Sequence, residues 1–344
     1  MLNPFSLSIE TIDRMLNFEL ADHPTYAGLE IQAFDDDVHG TGVAVLANRR
    51  RDGRVDVYRQ PGLRLDPGGY GIGAGLGEWR ESTIAPARLD VTAFGVMADV
   101  AFGDAEGRRI EVRVDDTDER RRAPGALLAP FGAAIEQPTS MLLVWMPQFD
   151  LVRTGGREPE ILIEGRPAAT GRLPGARFHG RRLIKYAADL VAVRLNENHD
   201  GPLDAAGEGG PGVAVANGGH EARLRLDPAL PDLRQLPNGQ ELAGAWRLDI
   251  DDAPSIVSGT WRARRDGEDV QLAMDSTSKW NPGPLPLLMR LVTTIVPAFR
   301  SWPLTYRWRA SVVLGPAPTM TSRWERTTSA RDESYGRVMG VSSR

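Results

Sequence analysis

Residues 95–117 read GVMADVAFGDAEGRRIEVRVDDT, and residues 259–277 read GTWRARRDGEDVQLAMDST. Each stretch opens on glycine, turns at an acidic residue followed by glycine (Asp104 with Gly107, Asp266 with Gly267) and closes on an Asp-x-Thr step (Asp115 and Thr117, Asp275 and Thr277). In the first, Ile110, Val112 and Val114 alternate with Arg109, Glu111 and Arg113, the period-two pattern of a strand with one apolar face. Two antiparallel hairpins are therefore predicted, because Asp and Gly accept the left-handed backbone of a tight turn with little strain.

The echo extends beyond these hairpins. Gly42-Val43-Ala44-Val45 returns as Gly212-Val213-Ala214-Val215, Trp79-Arg80 as Trp246-Arg247, and Pro124-Gly125 as Pro282-Gly283. His39, after Asp35, Asp36 and Asp37, is matched by His199, after Asn196, Glu197 and Asn198. The same order with a slowly shrinking offset implies a duplicated domain. A chain of 344 residues is long enough for two cores, and the division is expected at the glycine-rich step near Gly155 and Gly156, giving residues 1–156 and 157–344.

Most of the remaining pattern is strand. Short runs rich in β-branched and aromatic residues, bounded by Gly, Pro, Asp or Asn, lie at 43–46, 54–58, 89–94, 96–102, 141–145 and 160–163, then at 182–186, 190–195, 222–226, 246–250 and 306–314. Helices are expected only at residues 8–18, opened by Ser8 as a cap, and in the two Pro-Gly-led segments beginning at Ala126 and Pro284. Many strands with scarce helices predict an all-β chain: two tandem lipocalin-like antiparallel β-barrels with a few short helices. A barrel of that size leaves room for one small ligand.

This plan resembles the double-calycin architecture of carotenoid hydratases, AttH-like proteins and decalin-forming Diels–Alderases. The resemblance is carried by the whole-chain duplication and by Trp79 and Trp246 at corresponding strand starts, not by a short motif, and it transfers no catalytic residue. It implies a ligand cavity in one barrel or between the two. The chemistry it implies is water addition to a double bond, pericyclic cyclisation of a polyene in secondary metabolism, or ligand carriage with no reaction.

Composition excludes several other classes. A net charge of −5 gives no electrostatic reason to expect nucleic acid or an anionic membrane as partner. The chain has no cysteine, which removes disulfides, thiol nucleophiles and thiolate metal sites. The longest apolar stretch, residues 285–299, is interrupted by Arg290 and is too short to span a bilayer, so no stable membrane insertion is expected. With no basic, apolar and small-residue leader at the start, a cytoplasmic protein is expected. The glycine run from Gly69 to Gly77 does not follow a hydrophobic strand into a helix, so it is not a dinucleotide loop. There is no Gly-x-Ser-x-Gly elbow, and the five histidines have no metal-ligand spacing. Solvated acids are the stronger reading of Asp35, Asp36 and Asp37, and neither metal nor cofactor is expected.

What remains is acid–base chemistry on an apolar ligand. His39, Glu81, Lys185 and His199 stand near strand ends and are the candidate proton donors or acceptors. Tyr58, Trp79, Trp145, Tyr186, Trp246 and Trp261 are the candidate ligand-binding residues, because aromatic faces join apolar area to one polar handle. The expected function is a cofactor-independent cyclase, isomerase or hydratase acting on a hydrophobic or polyene small molecule. A non-catalytic carrier of a hydrophobic ligand is the competing expectation.

Overall fold

A computed structural model describes residues 2–70, 74–129, 138–173, 175–203, 212–278, 290, 294 and 302–326. The first strands are β1 (Leu7–Glu19), β2 (Tyr26–Asp36), β3 (Gly40–Arg49), β4 (Val55–Arg59), β5 (Leu76–Glu81), β6 (Ala87–Thr92) and β7 (Gly95–Gly103). There follow β8 (Arg109–Thr117), β9 (Gly125–Ala129), β10 (Met141–Arg153), β11 (Glu160–Ile163), β12 (Arg166–Pro167), a one-turn α1 (Ala176–His179) and β13 (Arg181–Leu195). The last group is β14 (His199–Pro202), β15 (Gly212–Asn217), β16 (His220–Asp227), β17 (Glu241–Ile250), β18 (Ala253–Asp266), β19 (Asp269–Ser276), β20 (Tyr306–Val313) and β21 (Thr319–Arg326).

These strands form three sheets. A central sheet has the order β5-β4-β3-β2-β1-β13-β10-β9, a short sheet β12-β11-β8-β7-β6, and a C-terminal sheet β14-β21-β20-β19-β18-β17-β16-β15. Only β4 and β5 pair in parallel; every other pair of named strands is antiparallel. The chain is thus all-β, with a sheet curled into a half-barrel. The predicted hairpins are β7–β8 and β18–β19, and the other predicted strands overlap observed ones to within two residues at their ends or lie inside longer ones, with 182–186 and 190–195 fused into β13.

The long strands β1, β10 and β13 serve two cores. Leu16 and Phe18 of β1, Val152 of β10, and Ile184 and Tyr186 of β13 pack with Val96, Phe102, Ile110 and Val112 of the short sheet. The other ends, including Ile9, Leu143, Val193 and Leu195, pack with Trp246, Trp261, Met274, Trp308 and Trp324 of the C-terminal sheet. Pairing between β1 and β13 lapses at one level, between Ile12↔Leu190 and Arg14↔Ala188, and there Asp189 takes a left-handed φ of 53°. Asp tolerates that conformation because its short polar side chain bonds locally. Strand pairing also runs across residue 156: β11 joins β8, and β13 lies between β1 and β10.

Two helix expectations are corrected. Residues 8–18 belong to β1, although Ile9, Ile12 and Leu16 have helical spacing. Backbone bonds to β2 on one side and β13 on the other override the local preference, and the period-two pair Leu16 and Phe18 reaches the core. The segment beginning at Ala126 lies in β9, hydrogen-bonded to β10. The expected helix at Pro284, Trp280 and most of residues 285–299 lie outside the described residues.

The hairpin echo has a physical cause. A Cβ on Gly95 would collide with the Asp116 carbonyl, and one on Gly259 with the Asp275 carbonyl. In the first hairpin the crowded carbonyl accepts a hydrogen bond from Arg122 Nη2; in the second it accepts one from Trp246 Nε1 at 3.2 Å. Glycine at the start of each hairpin therefore clears space for a buried side chain that caps the facing strand. Gly259→Ala is expected to destabilise the protein by about 1–3 kcal/mol through overpacking, measured by urea unfolding, and Gly95→Ala by more. Gly95 carries the further strain of φ 132°. A neutral result at both positions would show that the hairpins tolerate a methyl group there.

Candidate active site

The connection from β4 to β5 has to cross over the central sheet because these strands are parallel. It does so as a cover. Leu63 and Leu65 pack on Phe34 and Ala44, a 3-10 turn follows at Pro67–Tyr70, and the Tyr70 ring meets Trp79 edge-on at 5.4 Å between centroids. Beneath this cover lies a cavity of about 60 Å³. Apolar walls come from Ile12, Met15, Phe34, Leu46, Leu142 and Leu190, while Glu10, Glu30, Gln32, His39, Tyr70 and Arg194 bring polar groups to it.

A chain of hydrogen bonds runs from the cavity along the sheet. Tyr70 donates its hydroxyl proton to Gln32 Oε1 at 3.2 Å; Gln32 Nε2 donates to Glu30 Oε1 at 2.6 Å. Asn17 Nδ2 donates to Glu30 Oε2 at 2.9 Å, and Lys185 Nζ donates to Asn17 Oδ1 at 3.4 Å. Strand register makes this possible, since Asn17 stands opposite both Glu30 and Lys185, and Met15 opposite Gln32.

Glu30 is 5% exposed. Burial pushes its carboxyl above the ordinary range, against the hydrogen bonds from Gln32 and Asn17 and the positive charge of Lys185. Both neighbours that contact the carboxyl oxygens are amide donors, so neither can accept a proton from the neutral acid. The Glu30 carboxyl thus reaches the cavity wall between two amide groups. Burial also raises the Tyr70 hydroxyl, helped by the charges of Glu10 and Glu30, which keeps the phenol protonated.

His39 sits at the turn from β2 to β3, 4% exposed. Its Nδ1 is 2.8 Å from Asp36 Oδ2 and its Nε2 is 3.3 Å from Glu10 Oε2. The bond to Glu10 raises its pKa most; burial opposes this, and Asp36 adds to it. Burial works to raise Asp36, but hydrogen bonds from the His39 and Val38 backbone and from the His39 ring hold it below its usual value. The imidazolium is therefore the favoured form between two carboxylates. Donor groups with elevated pKa values at the wall of an apolar cavity are the equipment of general acid catalysis.

The other expected site residues lie elsewhere. Lys185 reaches the cavity only through Asn17 and Glu30, and Trp79 only by supporting Tyr70. Glu81 is on the edge strand β5, ion-paired with Arg59 at 2.9 Å. His199 is on the edge strand β14, its Nε2 2.9 Å from the Pro202 carbonyl. Tyr58 is fully buried with its hydroxyl 3.4 Å from that of Tyr26 and accepting from Ala105 N at 3.2 Å. Tyr186 accepts a hydrogen bond from Arg122 at 2.7 Å and donates to Asp150 at 3.3 Å, and burial pushes its hydroxyl up to about 12. Trp145, Trp246 and Trp261 are side chains of the core under the C-terminal sheet.

Glu10, Glu30, Gln32, Tyr70 and Arg194 were not singled out by the sequence. One signal for two of them exists: in Leu29–Phe34 Glu30 and Gln32 alternate with Leu29, Ile31 and Ala33, an ordinary two-faced strand, yet the polar face is buried too. Among the described residues no group of three or more His, Asp or Glu is arranged to hold a metal ion, and no helix is long and apolar enough to cross a membrane.

The raised His39 value fixes a pH dependence. A group held above its unfolded value of 6.5 contributes stability fully below that pH and loses it as pH rises through the folded value. Unfolding free energy is expected to fall between about pH 6.5 and the folded value in the native protein and to fall less in His39→Gln, with the imidazole titration followed by NMR. Asp36, held low, acts oppositely: its contribution is present above 3.8 and disappears as pH falls through its folded value. Identical profiles in the native protein and His39→Gln would mean that the Asp36–His39–Glu10 contact does not persist in solution.

No protein-family model, curated protein or solved structure matches this chain.

Proposed function

We propose that the cavity beneath Leu65 and Tyr70 is the acid–base site of a cofactor-independent enzyme that moves a proton on a hydrophobic small molecule. Isomerisation, hydration of a double bond and cyclisation of a polyene all fit this chemistry. The observation that carries it is Glu30: a buried carboxyl, biased to its neutral form, whose contacting neighbours are both donors. The His39 imidazolium, held between Asp36 and Glu10 at the same wall, adds a positive charge that would favour negative charge developing on the ligand. The volume matches about two water molecules, enough for the reacting end of a ligand whose apolar remainder lies along the opening. The two cores sharing a central sheet support a tandem lipocalin-like arrangement, with the site on the shared sheet.

The reaction itself is the test. Protein incubated in D2O with a cell extract of apolar metabolites is expected to deuterate, hydrate or isomerise one component, seen by mass spectrometry and chromatography. Glu30→Gln is expected to abolish this while still retaining the same component in native mass spectrometry, because glutamine keeps the shape of the neutral acid. A ligand that the native protein retains and releases unchanged would replace the enzyme with a carrier.

A further inference from the structure

On the far part of the molecule, outward-facing residues of β15, β16, β17 and β18 line a half-open trough of about 840 Å³. One cross-strand row forms its centre, with Gly212 opposite Arg225, Arg225 opposite Arg247, and Arg247 opposite Ser258. Two arginines thus stand at directly opposite positions of β16 and β17, between a residue with no side chain and a small hydroxyl. Like charges placed opposite one another across an antiparallel pair are destabilising. An anion seated between them would reverse the sign of that interaction.

The neighbouring carboxylates neutralise the row only in part. Asp249 takes Arg225 at 2.8 Å, and Glu221 takes Arg223, a third arginine on the wall. Arg247 has no hydrogen-bond or ion-pair partner among the described residues. Thr260 and Thr277, also on the wall, have hydroxyls without a partner among the described residues. The row is flanked by Ala214 on one side and Ala245 on the other, whose small side chains keep the trough open.

We propose that this trough binds a phosphate-bearing small molecule, with Arg247 and Arg225 holding the phosphate and Thr260 and Thr277 donating to its oxygens. Guanidinium forks match phosphate oxygens in pairs, and the volume lies in the range of ligand pockets, about 300–1,000 Å³. A compact phosphate suits the site better than a nucleic-acid backbone, because Asp227 closes one end and the whole chain carries a charge of −5.

Calorimetric or NMR titration with inorganic pyrophosphate tests the site. Saturable binding at one equivalent is expected, weakened about tenfold or more in Arg247→Gln, a change of an exposed side chain that leaves the fold intact by circular dichroism. Arg309→Gln is the control: Arg309 also faces an arginine, Arg323, on the same sheet, but outside the trough. It is expected to bind pyrophosphate as the native protein does. Equal binding by the native protein and Arg247→Gln, no binding by either, or equal losses in Arg247→Gln and Arg309→Gln would overturn the proposal, the last by reducing it to general attraction to a cationic sheet. Tighter binding of duplex DNA than of pyrophosphate, lost equally in both variants, would overturn it in favour of a nucleic-acid surface.

Discussion

Everything in this molecule depends on the antiparallel pairing of β1 with β13, which joins residues 7–18 to residues 184–195 through eleven paired positions. That pairing sets Asn17 between Glu30 and Lys185, brings Ile9 and Val193 under the C-terminal sheet, and brings Leu16 and Tyr186 under the short one. The free energy behind it is mainly burial: large apolar side chains taken fully out of water contribute about 1.5–3 kcal/mol each, and the two cores hold dozens of apolar side chains between them. The hydrogen-bond ladder then selects register, because a slip of β1 by one residue would turn Glu10 and Asn17 toward the cores and its apolar residues out.

The β-rich character was legible, as were the two hairpins that decide it, because alternation and Asp–Gly turns are local signals. The echo between Gly95 and Gly259 was legible too, and its reason lies in the packing: each glycine gives room to a side chain capping a crowded carbonyl. What local signals could not give was the pairing of β1. Its apolar residues Ile9, Ile12 and Leu16 fit a helical stripe as well as a strand, and its partner lies more than 160 residues away. Other paired features proved unequal: Trp79 is half-buried on an edge strand whereas Trp246 is at the centre of a core, and His39 is buried whereas His199 is at an edge.

The candidate site was legible only in part. His39 was singled out from its place after three acidic residues, and the structure gives it two carboxylate contacts at the cavity. Glu30 and Gln32 were hidden because a polar residue alternating with apolar ones on a strand normally faces water. They are dry because a crossover loop lies on them, and a loop's path is set by the parallel pairing of β4 and β5, which no single residue announces. Lys185 is legible only as a titratable residue in a strand; its influence on the cavity arrives through Asn17, two hydrogen bonds from Glu30.

The sharing of β1, β10 and β13 has a consequence for modularity. A chain whose sequence hints at two copies of one plan would ordinarily be separable at a linker. Here a cut near residue 156 would strip β13 from β1 and leave each fragment with an exposed, unpaired sheet edge, an invitation to aggregate. Closing the loop between residues 7 and 195 gives the chain a topology of high contact order, the kind that folds slowly. Whatever repetition the sequence retains, strand pairing crosses the step between its two copies.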